Sequence, residues 1–236
     1  MSSPFLGLTA EDWSAVWRSV EVSGIGVLLG LPFGVGVGWL LARSRFPGKA
    51  LVETLVNIPL VLPPVITGYV LLVLFGRRGW IGGWLWHTFG LEIALTLRAA
   101  ILVVAVMGFP LLVRSVRLAF QGIDPRLYQV ARSLGARPLD AFWSVSLPLA
   151  RNGVIAGVLL AFARGLGEFG ATLLFYGNPE NAPTLALQFY NTWEGQVGPA
   201  GTEHLWHLVA ASLVLACAAL TISEYLERRG QRRESA

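Results

Sequence analysis

The sequence predicts an all-α, polytopic membrane protein: five membrane-crossing helices, with a soluble-looking helical hairpin between the third and the fourth. Three observations carry that expectation. The 236-residue chain is 54% hydrophobic and only 14% charged, with a mean hydropathy of +0.60, which is too apolar for an ordinary water-soluble domain. Five apolar segments approach the roughly 20 residues a helix needs to cross the hydrocarbon core. The stretch from Leu127 to Pro148, between two of those segments, is instead basic and amphipathic.

The five segments run from about Val22 to Ala42, Ile58 to Phe75, Ala94 to Val113, Val154 to Tyr176 and Leu205 to Ser223. The first is preceded by Glu11, Asp12 and Glu21 and ends at Arg43. A signal peptide needs the opposite, a positive start, so this segment reads as a retained span. Its Gly26, Gly30, Gly34 and Gly38 recur every fourth residue and make a flat ridge that another helix can approach closely. Packing within one subunit and packing between subunits account for that ridge equally well. Pro32 predicts a kink.

The second segment holds Pro59, Pro63 and Pro64. Each removes a backbone donor, and the freed carbonyls must be satisfied by neighbours or by water in a cavity. Irregular backbone at depth suits a translocation path; a merely kinked packing helix is the alternative. The fourth segment holds Arg164 and Glu168, one helical turn apart and able to pair. Ionised groups inside a span cost about 3 kcal/mol or more each unless they pair or meet water. A mutual ion pair is the favoured reading, and contact of Arg164 with an anionic substrate is the alternative.

Charge placement sets the orientation. Arg43, Arg45 and Lys49 follow the first segment. Arg114, Arg117, Arg126, Arg132, Arg137 and Arg151 lie between the third and fourth, and Arg228, Arg229, Arg232 and Arg233 follow the fifth. With five spans, these thirteen of the 18 basic residues share one side, which the positive-inside rule makes cytoplasmic, leaving the N-terminus outside and the C-terminus inside. Arg77 and Arg78 fall on the outer side, against that bias. Six spans, the alternative count, would put both termini on one side and spoil the bias. The connection from Tyr176 to His204 is the longest on the outside, and its TLALQFYNTW predicts a short surface helix. Trp80, Trp84, Trp86, Trp193 and Trp206 fall near outer boundaries, where indole rings anchor at the interface.

Several function classes recede on composition. The basic residues are scattered along loop edges, which argues against a nucleic-acid surface. A single cysteine, Cys217, excludes a disulfide framework. Glu203, His204 and His207 make only a weak metal pattern, and solvent-facing histidines are the favoured reading, so no metal site is expected. No GxxxxGK[ST] phosphate cradle occurs, since Gly48-Lys49 runs into Ala50. ATP-driven work would therefore need a separate hydrolase.

The hairpin has identifiable ends. Asp124-Pro125 supplies an N-cap acceptor and a proline at the first helical position. Leu127, Val130, Ala131 and Leu134 recur on one face, Gly135 suits a left-handed helix end, and Pro138 restarts a helix running through Phe142 toward Val145. Such a hairpin fits a groove on another protein or rests on lipid headgroups. The residues alone balance the two.

The same stretch resembles the coupling loop of ABC importer permeases, whose pattern is Glu-Ala-Ala, three residues, Gly, nine residues, Ile, any residue, Leu-Pro. Here Gln129-Val130-Ala131, Gly135, Val145 and Leu147-Pro148 keep that spacing, with departures at Gln129, Val130 and Val145. LVLPPVITGYVLL (Leu60 to Leu72), GFPLLVRSVRLAF (Gly108 to Phe120) and FARGLGEFGATLLFYGN (Phe162 to Asn178) look like the molybdate-type branch, which sulfate and tungstate permeases also resemble. The resemblance spans about Leu60 to Tyr190. It implies a single transmembrane domain over residues 1–236 in a bacterial or archaeal plasma membrane, with a coupling loop over about 121–148. It further implies a homodimer, a cytoplasmic ABC ATPase that carries ATP and Mg, and an extracytoplasmic oxyanion-binding protein. This chain would bind no cofactor, catalyse nothing itself, and move an oxyanion by alternating access, with molybdate favoured and tungstate or sulfate as the alternatives. Gln129, Val130, Ala131, Leu134, Gly135, Val145, Leu147 and Pro148 are then expected to couple to the ATPase. Pro63, Pro64, Arg164 and Glu168 are expected to line the path or, for the last two, to lock it. An ion-coupled secondary carrier working alone is the reading from a different class; it expects internal repeats and several intramembrane acids, whereas Glu168 is the one clear candidate acid and no repeat is evident.

Overall fold

The computed structural model describes residues 7–44, 46–179, 182–195 and 199–234, and every regular element among them is helical. In chain order these are α1 (Ala10–Arg43), α2 (Lys49–Val61), α3 (Pro64–Phe75), α4 (Trp80–Phe89), α5 (Leu97–Gln121) and α6 (Pro125–Ser133). Then come α7 (Pro138–Ala141), a π-helical turn (Phe142–Ser146), α8 (Leu147–Leu166), α9 (Gly170–Phe175), α10 (Leu185–Gly195) and α11 (Pro199–Glu234). Four stretches are long and apolar enough to cross a membrane: Ala10–Arg43, Leu97–Gln121, Pro138–Leu166 and Glu203–Thr221. The pair α2 and α3 makes a fifth if counted as one span, although its two halves are bent by 114°. Arg45, and the side chains of Arg228, Arg229, Arg232 and Arg233, lie outside the described residues.

The centre is α5, held between α1 and α8 by small residues. A methyl group added at Gly26 would come within 2.8 Å of the Ile101 carbonyl oxygen, and at Gly38 within 2.6 Å of Val116 Cγ1. From α8, a methyl at Gly165 would meet Val104 Cγ1 at 2.6 Å and one at Gly153 would meet Ala119 Cβ at 2.3 Å. The order of these contacts makes α1 parallel to α5 and α8 antiparallel to both. The glycine ridge of the first span is thus spent within the subunit, a choice the sequence left open; close backbone approach is what small residues provide in lipid. Val103, Val104, Met107, Leu112, Val116 and Phe120 of α5 are all buried there.

Three boundaries differ from expectation. α1 starts at Ala10, well before Val22, because Thr9 and Asp12 form a reciprocal capping box: Asp12 N–H donates to Thr9 Oγ1 at 3.2 Å and Thr9 N–H donates to Asp12 Oδ2 at 2.8 Å. The expected single span from Ile58 to Phe75 is instead the bent pair α2–α3. Proline disfavours helical backbone at the residue before it, and Leu62 accordingly sits extended at ψ 140° ahead of Pro63 and Pro64. The expected span from Val154 to Tyr176 is also interrupted: α8 stops at Leu166 and α9 begins at Gly170.

The short α4 is an addition to the expected elements. It carries exposed Trp80, Trp84 and Trp86. Arg77, an exception to the charge bias, pairs with Glu92 at 2.8 Å and lies 4.4 Å above the Trp86 ring. The expected surface helix is present as α10, whose Leu185 and Leu187 are buried. The Glu194 carboxylate beside Tyr190 raises that phenol above its ordinary pKa. His204 is turned inward rather than free in solvent: its Nε2 lies 3.5 Å from Asp12 Oδ1, which Gln188 Nε2 also reaches at 3.2 Å. Among the described residues no group of three potential metal ligands forms.

Candidate functional site

Two features stand apart from ordinary helix packing, and one continuous helical rod joins them. The first is the hairpin. Asp124 caps α6, its carboxylate accepting from Arg126 N–H at 2.9 Å. The chain turns at Gly135, whose φ of +91° is the left-handed conformation that favours glycine. Arg132 holds the turn by donating to the Ala136 carbonyl at 2.7 Å. Gln129, Val130, Leu134, Gly135 and Pro148 are exposed, while Ala131, Val145 and Leu147 are half-buried. Leu134 is 84% exposed, and Leu127, Val130, Leu139 and Trp143 join it in a run of uncovered apolar side chains at the tip and along both arms. A monomeric soluble surface rarely shows such a run without a partner.

The second arm is anchored. Phe142 packs edge-on to Trp39 of α1 at 5.5 Å and against Phe120 of α5 at 6.0 Å. The π-helical turn follows from Pro148: a proline ring clashes with the carbonyl four residues back and lacks a donor, and the extra residue relieves both. Leu147 N–H accordingly donates five residues back, to the Phe142 carbonyl. Leu147-Pro148 is therefore the joint at which the hairpin's second arm enters α8.

The second feature lies at the other end of α8, where two helix breaks abut. A methyl group at Gly170 would meet Pro64 Cβ at 3.2 Å and Val65 N at 3.3 Å, and one at Gly68 would meet Ala171 O at 2.7 Å. The proline break after α2 and the glycine break after α8 are thus in direct contact, bringing Pro63, Pro64, Arg164 and Glu168 into one neighbourhood. The expected pair forms, with Arg164 Nη1 donating to Glu168 Oε2 at 2.7 Å. Its setting differs from expectation, because Glu168 lies past the end of α8 and not on its face. Its other oxygen accepts from Ala171 N–H at 3.1 Å and so caps the start of α9. The Glu168 side chain is 2% exposed and that of Arg164 29%. Two buried hydroxyls flank the breaks, Ser23 Oγ beside Gly165 and Thr67 Oγ1 beside Gly68, and neither has a hydrogen-bond partner among the described residues. Unpaired buried donors are costly in an apolar interior, so the place suits water or a polar passenger.

Sequence reasoning missed Phe142 as the anchor and the hydroxyls of Ser23 and Thr67. It also missed Glu53 and Asn57 on α2, because the second span was started at Ile58. Their i, i+4 spacing was a visible signal, and in the structure Glu53 Oε1 pairs with Arg117 at 3.0 Å.

With that geometry in view, comparison with known proteins is decisive. Residues 30–231 match the family described as binding-protein-dependent transport system inner membrane component. The chain belongs to that family. It is 47% identical over 227 residues to the molybdenum transport system permease protein ModB of Escherichia coli K12, covering 96% of this chain and 98% of that one. The protein of the same description from Haemophilus influenzae is 41% identical, covering 93% and 95%. The sulfate transport system permease protein CysW of Synechocystis is 31% identical, covering 92% and 77%. Among solved structures, the MetNI methionine ABC transporter aligns at a TM-score of 0.65 with 24% identity over 91% of this chain and 94% of its own. A bacterial alginate ABC transporter aligns at 0.68 with 18% identity over 96% and 81%. These two likenesses are of fold. The chain is a multi-pass inner-membrane transport component, which removes the stand-alone secondary carrier.

Proposed function

We propose that this chain is the permease subunit of an ATP-driven importer of molybdate. Two copies form the pore, a separate ABC ATPase docks on the hairpins at the cytoplasmic face, and an extracytoplasmic binding protein delivers the oxyanion. The observation that carries this reading is near-complete coverage, at 47% and 41% identity, by molybdenum transport permeases. The uncovered apolar hairpin supports the ATPase: Leu134, Leu139 and Trp143 need a protein groove more than water. The N-terminus is then outside and the C-terminus inside, as the distribution of arginines favours. ATP and Mg belong to the partner, and this chain supplies no catalytic group. The weaker sulfate permease match keeps sulfate as the second cargo.

Mechanistically, Gln129, Val130, Ala131, Leu134 and Gly135 meet the ATPase, and Val145, Leu147 and Pro148 form the joint that hands its movement to α8. Alternating access follows when α8 shifts the abutting breaks. The test is to purify the chain with its partners from the native membrane, identify what co-elutes, and reconstitute the assembly in liposomes. ATP-dependent molybdate uptake exceeding sulfate uptake is expected. Uptake without an ATPase, or no oxyanion uptake with one, would overturn the reading.

A further inference from the structure

Away from the two breaks, a separate cavity of about 300 Å³ lies between α2 and α5 near the hairpin end of the bundle. Its polar lining is Glu53 and Asn57 of α2 and Arg114, Arg117 and Gln121 of α5. These residues occupy the middle of α2 and the last eight residues of α5, just before the hairpin begins at Asp124. A charged face at that depth turned to lipid would be costly, so it faces water.

The charges inside are unbalanced. Arg117 Nη1 is held by Glu53 at 3.0 Å, but Arg117 Nε is shielded from solvent and has no hydrogen-bond partner among the described residues. Arg114 forms no ion pair among the described residues. Asn57 Nδ2 is turned back to the Glu53 carbonyl, to which it donates at 2.7 Å. The cavity therefore offers two guanidinium groups against one carboxylate. Guanidinium forks recognise tetrahedral oxyanions through paired N–H donors, and Gln121 adds an amide donor. Glu53 works against an anion and sets the affinity low by holding one arginine.

From this we infer that the Arg114–Arg117 cavity is an oxyanion-binding site on the cytoplasmic side of the permease, distinct from the helix breaks, and that Glu53 weakens it so that the anion is released. The inference rests on the proposed function only for the side of the membrane. The same chemistry is offered by a free tetrahedral dianion leaving the pore and by the phosphate of a phospholipid headgroup, and the test separates them.

The test uses the permease–ATPase complex in a phosphate-free maltoside detergent, without binding protein, with inorganic molybdate and inorganic sulfate as probes. Binding is read by equilibrium dialysis at constant ionic strength. Bound phospholipid is read by mass spectrometry of the same preparations. Arg114→Gln is expected to weaken oxyanion binding at least about tenfold, the loss of one charge-assisted contact, while Glu53→Gln strengthens it and Arg114→Lys retains much of it. If Arg114→Gln instead sheds a co-purified anionic phospholipid and leaves the inorganic probes unaffected, the site stands with the headgroup as its ligand. Oxyanion binding and lipid content both unchanged in Arg114→Gln and in Glu53→Gln would overturn the inference. Because dialysis needs no transport, absent uptake by wild-type proteoliposomes would count against the proposed function alone.

Discussion

Replacing Glu168 by alanine removes two interactions at once: the 2.7 Å partner of Arg164 and the 3.1 Å acceptor for Ala171 N–H. Breaking a buried ion pair from one side costs roughly 3–5 kcal/mol because a charge is left uncompensated. Arg164 keeps some access to solvent, so the lower end applies, and we expect Glu168→Ala to cost about 3 kcal/mol. Arg164→Ala strands the carboxylate, which is 2% exposed, and is expected to cost about the same. The double variant removes both charges and leaves the Ala171 donor and a small void; it should cost about 3 rather than about 6 kcal/mol, an interaction energy near 3. Glu168→Gln keeps an oxygen for Ala171 but also leaves Arg164 uncompensated, so it should cost only slightly less than Glu168→Ala, about 2–3 kcal/mol. The assay is denaturant unfolding in mixed micelles followed by tryptophan fluorescence, paired with ATP-dependent uptake. Single variants whose costs simply add, with an interaction energy below about 0.5 kcal/mol, would refute the lock. Full transport in Arg164→Ala would refute both the lock and any substrate contact, whereas retention in Arg164→Lys is expected if charge alone matters.

Other tests address the remaining parts. Gly135→Ala puts a side chain at φ +91°, so a local cost of about 1–2 kcal/mol is expected, read as weaker ATPase co-purification while the bundle's melting is little changed. Along α1, Gly26→Ala meets the Ile101 backbone and should destabilise by about 1–3 kcal/mol. Gly34→Ala meets only the movable Leu112 side chain and should cost less, and Gly36→Ala, with open space around it, should be neutral or slightly stabilising in the same melting assay. With the exposed Cys217 replaced by serine, a cysteine at Ser133 should react with an impermeant thiol reagent from the cytoplasmic side only, and one at Trp80 from the outside only. The reverse pattern would invert the topology.

The hairpin was legible because its rules are local. An acceptor before a proline, a glycine where the backbone must turn left-handed, and an amphipathic repeat all act within a few residues, and Asp124, Pro125 and Gly135 take the roles their types dictate. The spans were legible by hydropathy; the prolines signalled irregular backbone in the second, but the interruption of the fourth was not legible. Apolar runs continue through Leu62 and through Leu166 to Phe175, so a window that averages hydropathy cannot see a break, and only Pro63-Pro64 and the glycines around Glu168 mark it. The pairing of Arg164 with Glu168 was readable from spacing. The capping role of Glu168 depended on where α8 ends, a tertiary outcome fixed by the contact of Gly165 with α1 and α5. The use of the α1 glycines depended on α5, which lies some seventy residues away in sequence.

The connection between hairpin and breaks gives the proposed mechanism its physical content. From Pro138 to Leu166 the chain is helical without interruption, passing through the π-helical turn at Phe142–Ser146. At about 1.5 Å per residue, α8 alone is a rod some 30 Å long. One end is pinned by Phe142 between Trp39 and Phe120, and the other ends at Gly167, where the short link to α9 begins. A push on the exposed side chains of the hairpin therefore pivots about the Phe142 anchor. It reaches Glu168 with little loss, since packed helices move as bodies and do not deform continuously. There the displacement must be absorbed by the glycine break or by the contact of Gly170 and Ala171 with Pro64 and Gly68. The Arg164–Glu168 pair ties the last turn of α8 to the start of α9, so it steers movement away from the glycine link and into that contact. In the proposed mechanism, the same pair that locks the resting protein makes the break next to α3 the moving part.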